Sequence, residues 1–248
     1  MNSESEFKEF IEKIFEDTID ENIKKYGIEK VGLHLGNILR SMDSLVVSKV
    51  VPRAIEKHTS GEIQKELKSL ISKNENYIAA LRKIGVSVAN SLRPIAGNRF
   101  TLMVAKVLKP QLNKIGLDCI TSGPIKSQLN KILVVKTDTG DIDLKPDIDI
   151  IVFEKDNPQK ILAIISCKTT LAERVMQTIR WKDSLSTLPE DYKKIKVYLV
   201  TAWEIFENVT HRNRVHQLDG AYSCNENVKE DNKVKKFDKL VEDLAKLK

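Results

Sequence analysis

Two short stretches decide the fold: Lys145-Pro-Asp-Ile-Asp-Ile150 and Ile165-Ser-Cys-Lys-Thr-Thr170. The first opens an apolar run through Phe153, and the second closes a β-branched run that starts at Ile161. Runs of this length and composition, bounded by turn residues, read as β-strands. Lys155-Asp-Asn-Pro158 lies between them and reads as a turn. Paired as an antiparallel hairpin, the two strands bring Asp147 and Lys168, 21 positions apart, to the same end of a sheet. A carboxylate and an ammonium meeting there can cleave a phosphodiester. The carboxylate holds Mg²⁺ through oxygen, and the ammonium positions a water or stabilises developing charge.

Outward from this hairpin, the chain divides by texture at Gly116. Beyond it, Leu129 to Lys136 and Ile195 to Val200 read as further strands, with Thr137-Asp-Thr-Gly140 as a turn. Thr170 to Leu185 and Phe237 to Leu247 have helical patterning. Before Gly116 the pattern is helical throughout. Phe7, Ile11, Ile14, Phe15 and Ile19 keep a helical spacing, and a second helix is predicted from Lys30 to Ser48. Pro52 suits the start of a third. Thr59-Ser60 followed by Glu62 reads as a cap before Ile63, Leu67 and Ile71. Tyr77 to Leu92 is predicted helical, Pro94 and Gly97 break the chain, and Asn98 to Ile115 forms another helix. There is no internal repeat. The expectation is an α/β protein: a helical N-terminal region over residues 1–96, contacting DNA or a second subunit, then a mixed β-sheet core flanked by helices over 97–248.

Length and composition narrow the classes. The chain has 248 residues, 41% hydrophobic and 31% charged, which suits a globular domain rather than a disordered chain. The net charge of +6 is unevenly placed. Residues 1–30 carry −4, residues 31–115 carry +9, and the remainder +1. The basic stretch solvates helix faces or lies against a phosphate backbone. Three cysteines without a CxxC pair make neither a disulfide framework nor a zinc site. An acidic N-terminus lacks the pattern of a signal peptide, and no apolar run approaches bilayer length. The expected location is the cytoplasm, with no membrane partner.

The Pro-Asp strand, the turn, and the strand ending in Ser166-Cys-Lys168 resemble the PD-(D/E)xK nucleases, and within them the type II restriction endonucleases. The likeness is strongest in Ser166-Cys-Lys-Thr-Thr-Leu-Ala-Glu-Arg-Val-Met-Gln-Thr178, which is similar to the strand-to-helix segment of enzymes that read sites with a CC…GG core. The resemblance spans roughly residues 97 to 201. It implies a restriction-endonuclease-like fold, Mg²⁺-dependent cleavage of double-stranded DNA, and a homodimer matched to a palindromic target. It assigns Asp147 as the metal-binding acid, Lys168 as the catalytic lysine, and Ser166 to the place of a second acid. Glu173 and Arg174 become base readers, since arginine donates twice to guanine and a carboxylate accepts from cytosine. Gln177 and Arg180 fall on adjacent turns of the same helix and would touch bases or phosphates.

The chain departs from that pattern twice. Where related enzymes carry a substitute acid, this one has Trp181 and Lys182, with Asp183 one step further. Ala172 also stands where a base would precede the Glu-Arg pair. The third metal-binding acid is therefore open among Glu173, Asp183, Asp149, Glu62 and Glu75. Ordinary roles compete at each position: Asp147 as a turn residue, Lys168 as a solvated lysine, Glu173-Arg174 as surface charge. Cys167 is expected to be buried, Trp203 and Phe206 to be core, and Arg212, Arg214 and His216 to form a basic loop open to DNA. Two rival functions stay open: a DNA-binding protein that retains the fold without cutting, and a junction or repair nuclease without a fixed sequence.

Overall fold

The computed structural model describes residues 4–42, 97–132, 136–137, 140–141, 148–169, 171 and 174–248. The helices expected between Pro52 and Leu92, together with Glu62 and Glu75, lie outside these residues, as do Asp147 and Glu173.

Helix α1 (Glu4–Tyr26) is the predicted first helix, burying Phe15 and Ile19. It stops at Gly27, whose φ of 78° is open to glycine. A 3₁₀ turn (Val31–His34) leads into α2 (residues 35–42), and α3 covers residues 97–114. A six-stranded sheet follows, in the order β1-β4-β5-β6-β7-β8. Its strands are β1 (Leu117–Ile120), β4 (Ile150–Glu154), β5 (Asn157–Lys168), β6 (Lys196–Thr201), β7 (Gly220–Ser223) and β8 (Val234–Lys236). The pairs β1/β4 and β4/β5 are antiparallel. The pairs β5/β6, β6/β7 and β7/β8 are parallel. β2 (Lys136–Thr137) and β3 (Gly140–Asp141) form a separate two-residue ribbon around the predicted turn. The remaining helices are α4 (Pro124–Ile132), α5 (Arg174–Ser186), α6 (Glu190–Lys193), α7 (Val209–Val215) and α8 (Leu240–Ala245).

Two apolar cores sandwich the sheet, because strand side chains alternate between its faces. On one side, Ile150, Val152, Ala163, Ile165, Cys167 and Val200 meet α1, α2, α3 and α8. On the other, Ile151, Ile164, Val197, Leu199 and Ala221 meet α5 and α7. All-apolar central strands follow from this double cover. Gly36 lets α2 reach the sheet end, since a Cβ there would overlap the carbonyl oxygen of Ala202. Among the described residues no helix is long and apolar enough to cross a membrane.

Two expectations need correction. Leu129 to Ile132 is the end of helix α4, not the start of a strand. Its apolar residues suit either state, and Pro124 at the first helical position decides for the helix. Arg212, Arg214 and His216 lie on or just after helix α7, which Asn208 caps by accepting from the His211 N–H. Two of its bases are also paired within the fold, although His216 stays exposed. Arg212 donates to the carbonyls of Phe206 (3.0 Å) and Lys229 (2.7 Å) and pairs with Asp231. His216 Nε2 lies 3.0 Å from the same carboxylate. Arg212 thereby steadies Phe206, a fully buried residue held at a φ of 55°. Phe206 is core as expected, whereas Trp203 is only partly buried against the core, with the Arg40 guanidinium over its ring.

Burial pushes the Asp231 carboxyl up. The Val234 and Lys233 backbone N–H groups, with His216 and Arg212, outweigh it and hold the group at about 2. Asp243 is likewise held at about 2: burial again opposes the shift, and Lys235, Lys246 and Tyr222 overcome it. Both values lie below that of an unfolded carboxyl, so both groups stabilise the fold above about pH 4, near the unfolded Asp value. That contribution is lost as pH falls through 4 toward 2. Thermal midpoints measured across this window should fall, and Asp231→Asn should lower the midpoint at pH 7 while flattening the acid slope. An unchanged slope in the variant would remove Asp231 from the account.

Candidate active site

The β4/β5 hairpin forms as the sequence predicts, with Ile150 opposite Ile165 and Ile151 opposite Ile164. This register carries the residues before Ile150 to the end of β5, where Lys168 lies. The carboxylate that meets the lysine there is Asp149. Its Oδ2 lies 3.0 Å from Lys168 Nζ and 2.7 Å from the Cys167 N–H, which donates to it. Thr101 of α3 donates to Oδ1 at 3.4 Å. Lys168 is only 3% exposed and Asp149 15%. An ammonium so far from water is tolerable because charge faces it. The Lys168 carbonyl is fixed as well, accepting from the Ala202 N–H.

The other nominated residues are distributed as follows. Ser166 is fully buried two positions before Lys168 on the same face of β5. Cys167 points to the opposite face and is buried as expected. Burial, then the neighbouring Asp149 charge, pushes its thiol well above the usual range, which makes it a poor nucleophile. All three cysteines are free and buried. Arg174 opens α5, a few residues beyond Lys168. Gln177 is half-buried and Arg180 exposed on that helix. At the position of the substitute acid, Trp181 is buried in the core and Lys182 pairs with Asp219 at 3.2 Å. Asp183 is exposed, about 13 Å further along the helix axis than Arg174 at 1.5 Å per residue.

The donor chemistry fits a hard cation. Mg²⁺ keeps several of its waters and is held through one or two carboxylates with substrate phosphates. Asp149 supplies one carboxylate. Among the described residues there is no cluster of three acid, histidine or cysteine side chains.

Sequence reasoning missed one participant, Thr101, and held Asp149 only as one of several candidates for the third acid. Thr101 left a trace as a polar residue inside the apolar stripe of α3, between Phe100 and Val104. Asp149 was ranked behind Asp147. Its signal was the strand alternation that sets it on one face with Ile151 and Phe153, the face that Lys168 shares.

A mixed sheet with a buried lysine–carboxylate pair at its end, followed at once by a helix, is a layout for hydrolysing phosphate esters. The comparisons give that layout a class. Residues 125–244, which contain β4, β5 and α5, match the family described as BsaWI restriction endonuclease type 2. A Methanocaldococcus jannaschii protein that carries the name "Putative type II restriction enzyme MjaVIP" is 28% identical over 233 residues, covering 87% of this chain and 98% of its own. The solved structure of the restriction endonuclease PspGI with substrate DNA aligns over 94% of this chain and 92% of that one, with 16% identity and a TM-score of 0.46. The chain is a type II restriction endonuclease.

Proposed function

We propose that the protein hydrolyses one phosphodiester bond in each strand of double-stranded DNA at a specific sequence, with Mg²⁺, as a homodimer in the cytoplasm. The buried Asp149–Lys168 pair at the sheet end is the observation that carries this reading. Asp149 is the acid that meets the lysine, and Asp147, two residues earlier, supplies a second carboxylate for the cation. A divalent cation bound there would stabilise charge on the scissile phosphate and acidify an attacking water.

The chain's own groups do the rest. Lys168 Nζ carries a fixed positive charge to the position where negative charge grows on the phosphate. Asp149 Oδ2 aims that ammonium, and the Cys167 N–H and Thr101 hold the carboxylate in place. Ser166 keeps the inner side of the site uncharged, so a third acid comes from elsewhere, Glu173 being the nearest in sequence. Arg174, with Glu173, reads base edges from the start of α5, while Gln177 and Arg180 continue that surface along the groove. Residues 1–96 contribute phosphate contacts and the contact between subunits. Affinity therefore falls steeply with salt.

Incubation with a sequenced linear DNA in Mg²⁺ and in EDTA tests the reading. Discrete fragments that require the metal are expected, and their ends give the site. A metal-dependent smear would make the protein a non-specific nuclease. Intact DNA in both lanes, with a shifted band in a binding assay, would leave a DNA-binding protein without cleavage.

A further inference from the structure

Behind Lys168 three hydroxyls are fully buried with no hydrogen-bond partner among the described residues: Ser166 Oγ, Thr178 Oγ1 and Thr201 Oγ1. The sheet register places two of them. Thr201 lies directly opposite Lys168, and Ser166 lies opposite Leu199, two residues before Thr201. Alternation then sets Ser166, Lys168 and Thr201 on one face, the face that Ile164 and Leu199 share. Thr178 descends onto that face from α5, on the stripe of Val175 and Ile179, and α5 packs on β6. An orphaned hydroxyl in an apolar interior destabilises the fold. Side chains matched only for shape would place valine at Thr178 and Thr201 and lose nothing. Ser166 and Thr201 instead sit on one face of two adjacent strands, and Thr178 lies on the helix that packs over that face.

We propose that Ser166, Thr178 and Thr201 enclose an internal water site, and that this water ties α5 to the strand ends at the lysine. Buried waters take two to four partners from protein groups, which this trio supplies. Thr178 and Thr201 are then positioning residues. They hold the helix bearing Arg174, Gln177 and Arg180 in a fixed relation to Lys168, so base reading and cleavage share one joint. The kinetic half of this inference rests on the roles given above to Lys168 and α5.

The sign of a stability change separates the possibilities. Valine copies the shape of threonine without its hydroxyl. If the hydroxyls are simply unsatisfied, Thr178→Val and Thr201→Val raise the thermal midpoint. If they hold a water, each change strands that water and the remaining hydroxyls, and the midpoint falls. For the full-length protein, Thr178→Val is also expected to lower kcat on specific DNA about tenfold, the scale of a slight misplacement of reacting groups, with KM unchanged. Thr178→Ser, which keeps the hydroxyl, restores it. A high-resolution crystal structure should show water density within hydrogen-bonding distance of the three oxygens. Empty density, or higher midpoints with unchanged kcat, overturns the proposal. Lys168→Ala separates the two layers: full activity in that variant removes the catalytic reading, while density and midpoints still decide the water site.

Discussion

A Lys168→Ala variant should bind its target DNA about as tightly as the natural protein and cut it at least about a hundredfold more slowly. That magnitude is typical for deleting one preorganised group that stabilises transition-state charge. The lysine is 3% exposed and touches Asp149, so it adds little to the long-range attraction for DNA that many surface cations provide. The loss should therefore appear in kcat and leave KM largely unmoved. Lys168→Arg should not rescue it, because a planar guanidinium needs more room than this buried position gives. Single-turnover cleavage and a band-shift assay on the same samples make the test. Cleavage within a few-fold of the natural rate would take the lysine out of the chemistry.

Asp149→Asn should be the more damaging of the two acid substitutions. On the proposed reading it removes a carboxylate from the cation site, and it also removes the charge facing Lys168. Asparagine keeps one acceptor oxygen, which serves the Cys167 N–H, but it leaves the buried ammonium without this counter-charge. Breaking a buried pair from one side costs about 3 kcal/mol, the low end of its range, because Asp149 retains some contact with water. A lower thermal midpoint should therefore accompany a loss of cleavage of about a hundredfold or more. Asp147→Asn should reduce cleavage with a smaller change in midpoint. Both variants are assayed well below their midpoints, across a Mg²⁺ titration. An active Asp149→Asn beside a dead Asp147→Asn would return the metal to Asp147 alone.

The hairpin behind these predictions was legible because its two apolar runs flank a Lys-Asp-Asn-Pro turn, and period-two alternation fixes which side chains share a face. The choice between Asp147 and Asp149 was not legible. Both are acids two residues apart on the same expected face; the structure puts Asp149 against Lys168, while Asp147 lies outside the described residues. Strands β7 and β8 escaped notice for another reason. Gly220–Ser223 and Val234–Lys236 are too short and mixed to carry a periodic signal, and they become strands through pairing with β6 and with each other. Arg212 and His216 looked like partners for phosphate until a carboxylate 15 to 19 residues away claimed them. Long-range pairing of that kind leaves no local trace. The helical reading of α1 and α3 held because each has a sustained apolar stripe.

The contact of Gly36 with the Ala202 carbonyl bears on how such an enzyme could be re-engineered. Ala202 is also the residue whose N–H holds the Lys168 carbonyl, so the early helices brace the strand end that carries Lys168 through a single intervening peptide. Val31, Leu35, Ile38, Leu39 and Met42 lie in the same core as Phe100, Ile165 and Cys167. The front of the chain is thus a wall of the building rather than an attachment. Exchanging it for a relative's equivalent, in the hope of transplanting a new target preference, would disturb the machinery that cuts. Grafts confined to the outward surface of α5 leave that wall standing.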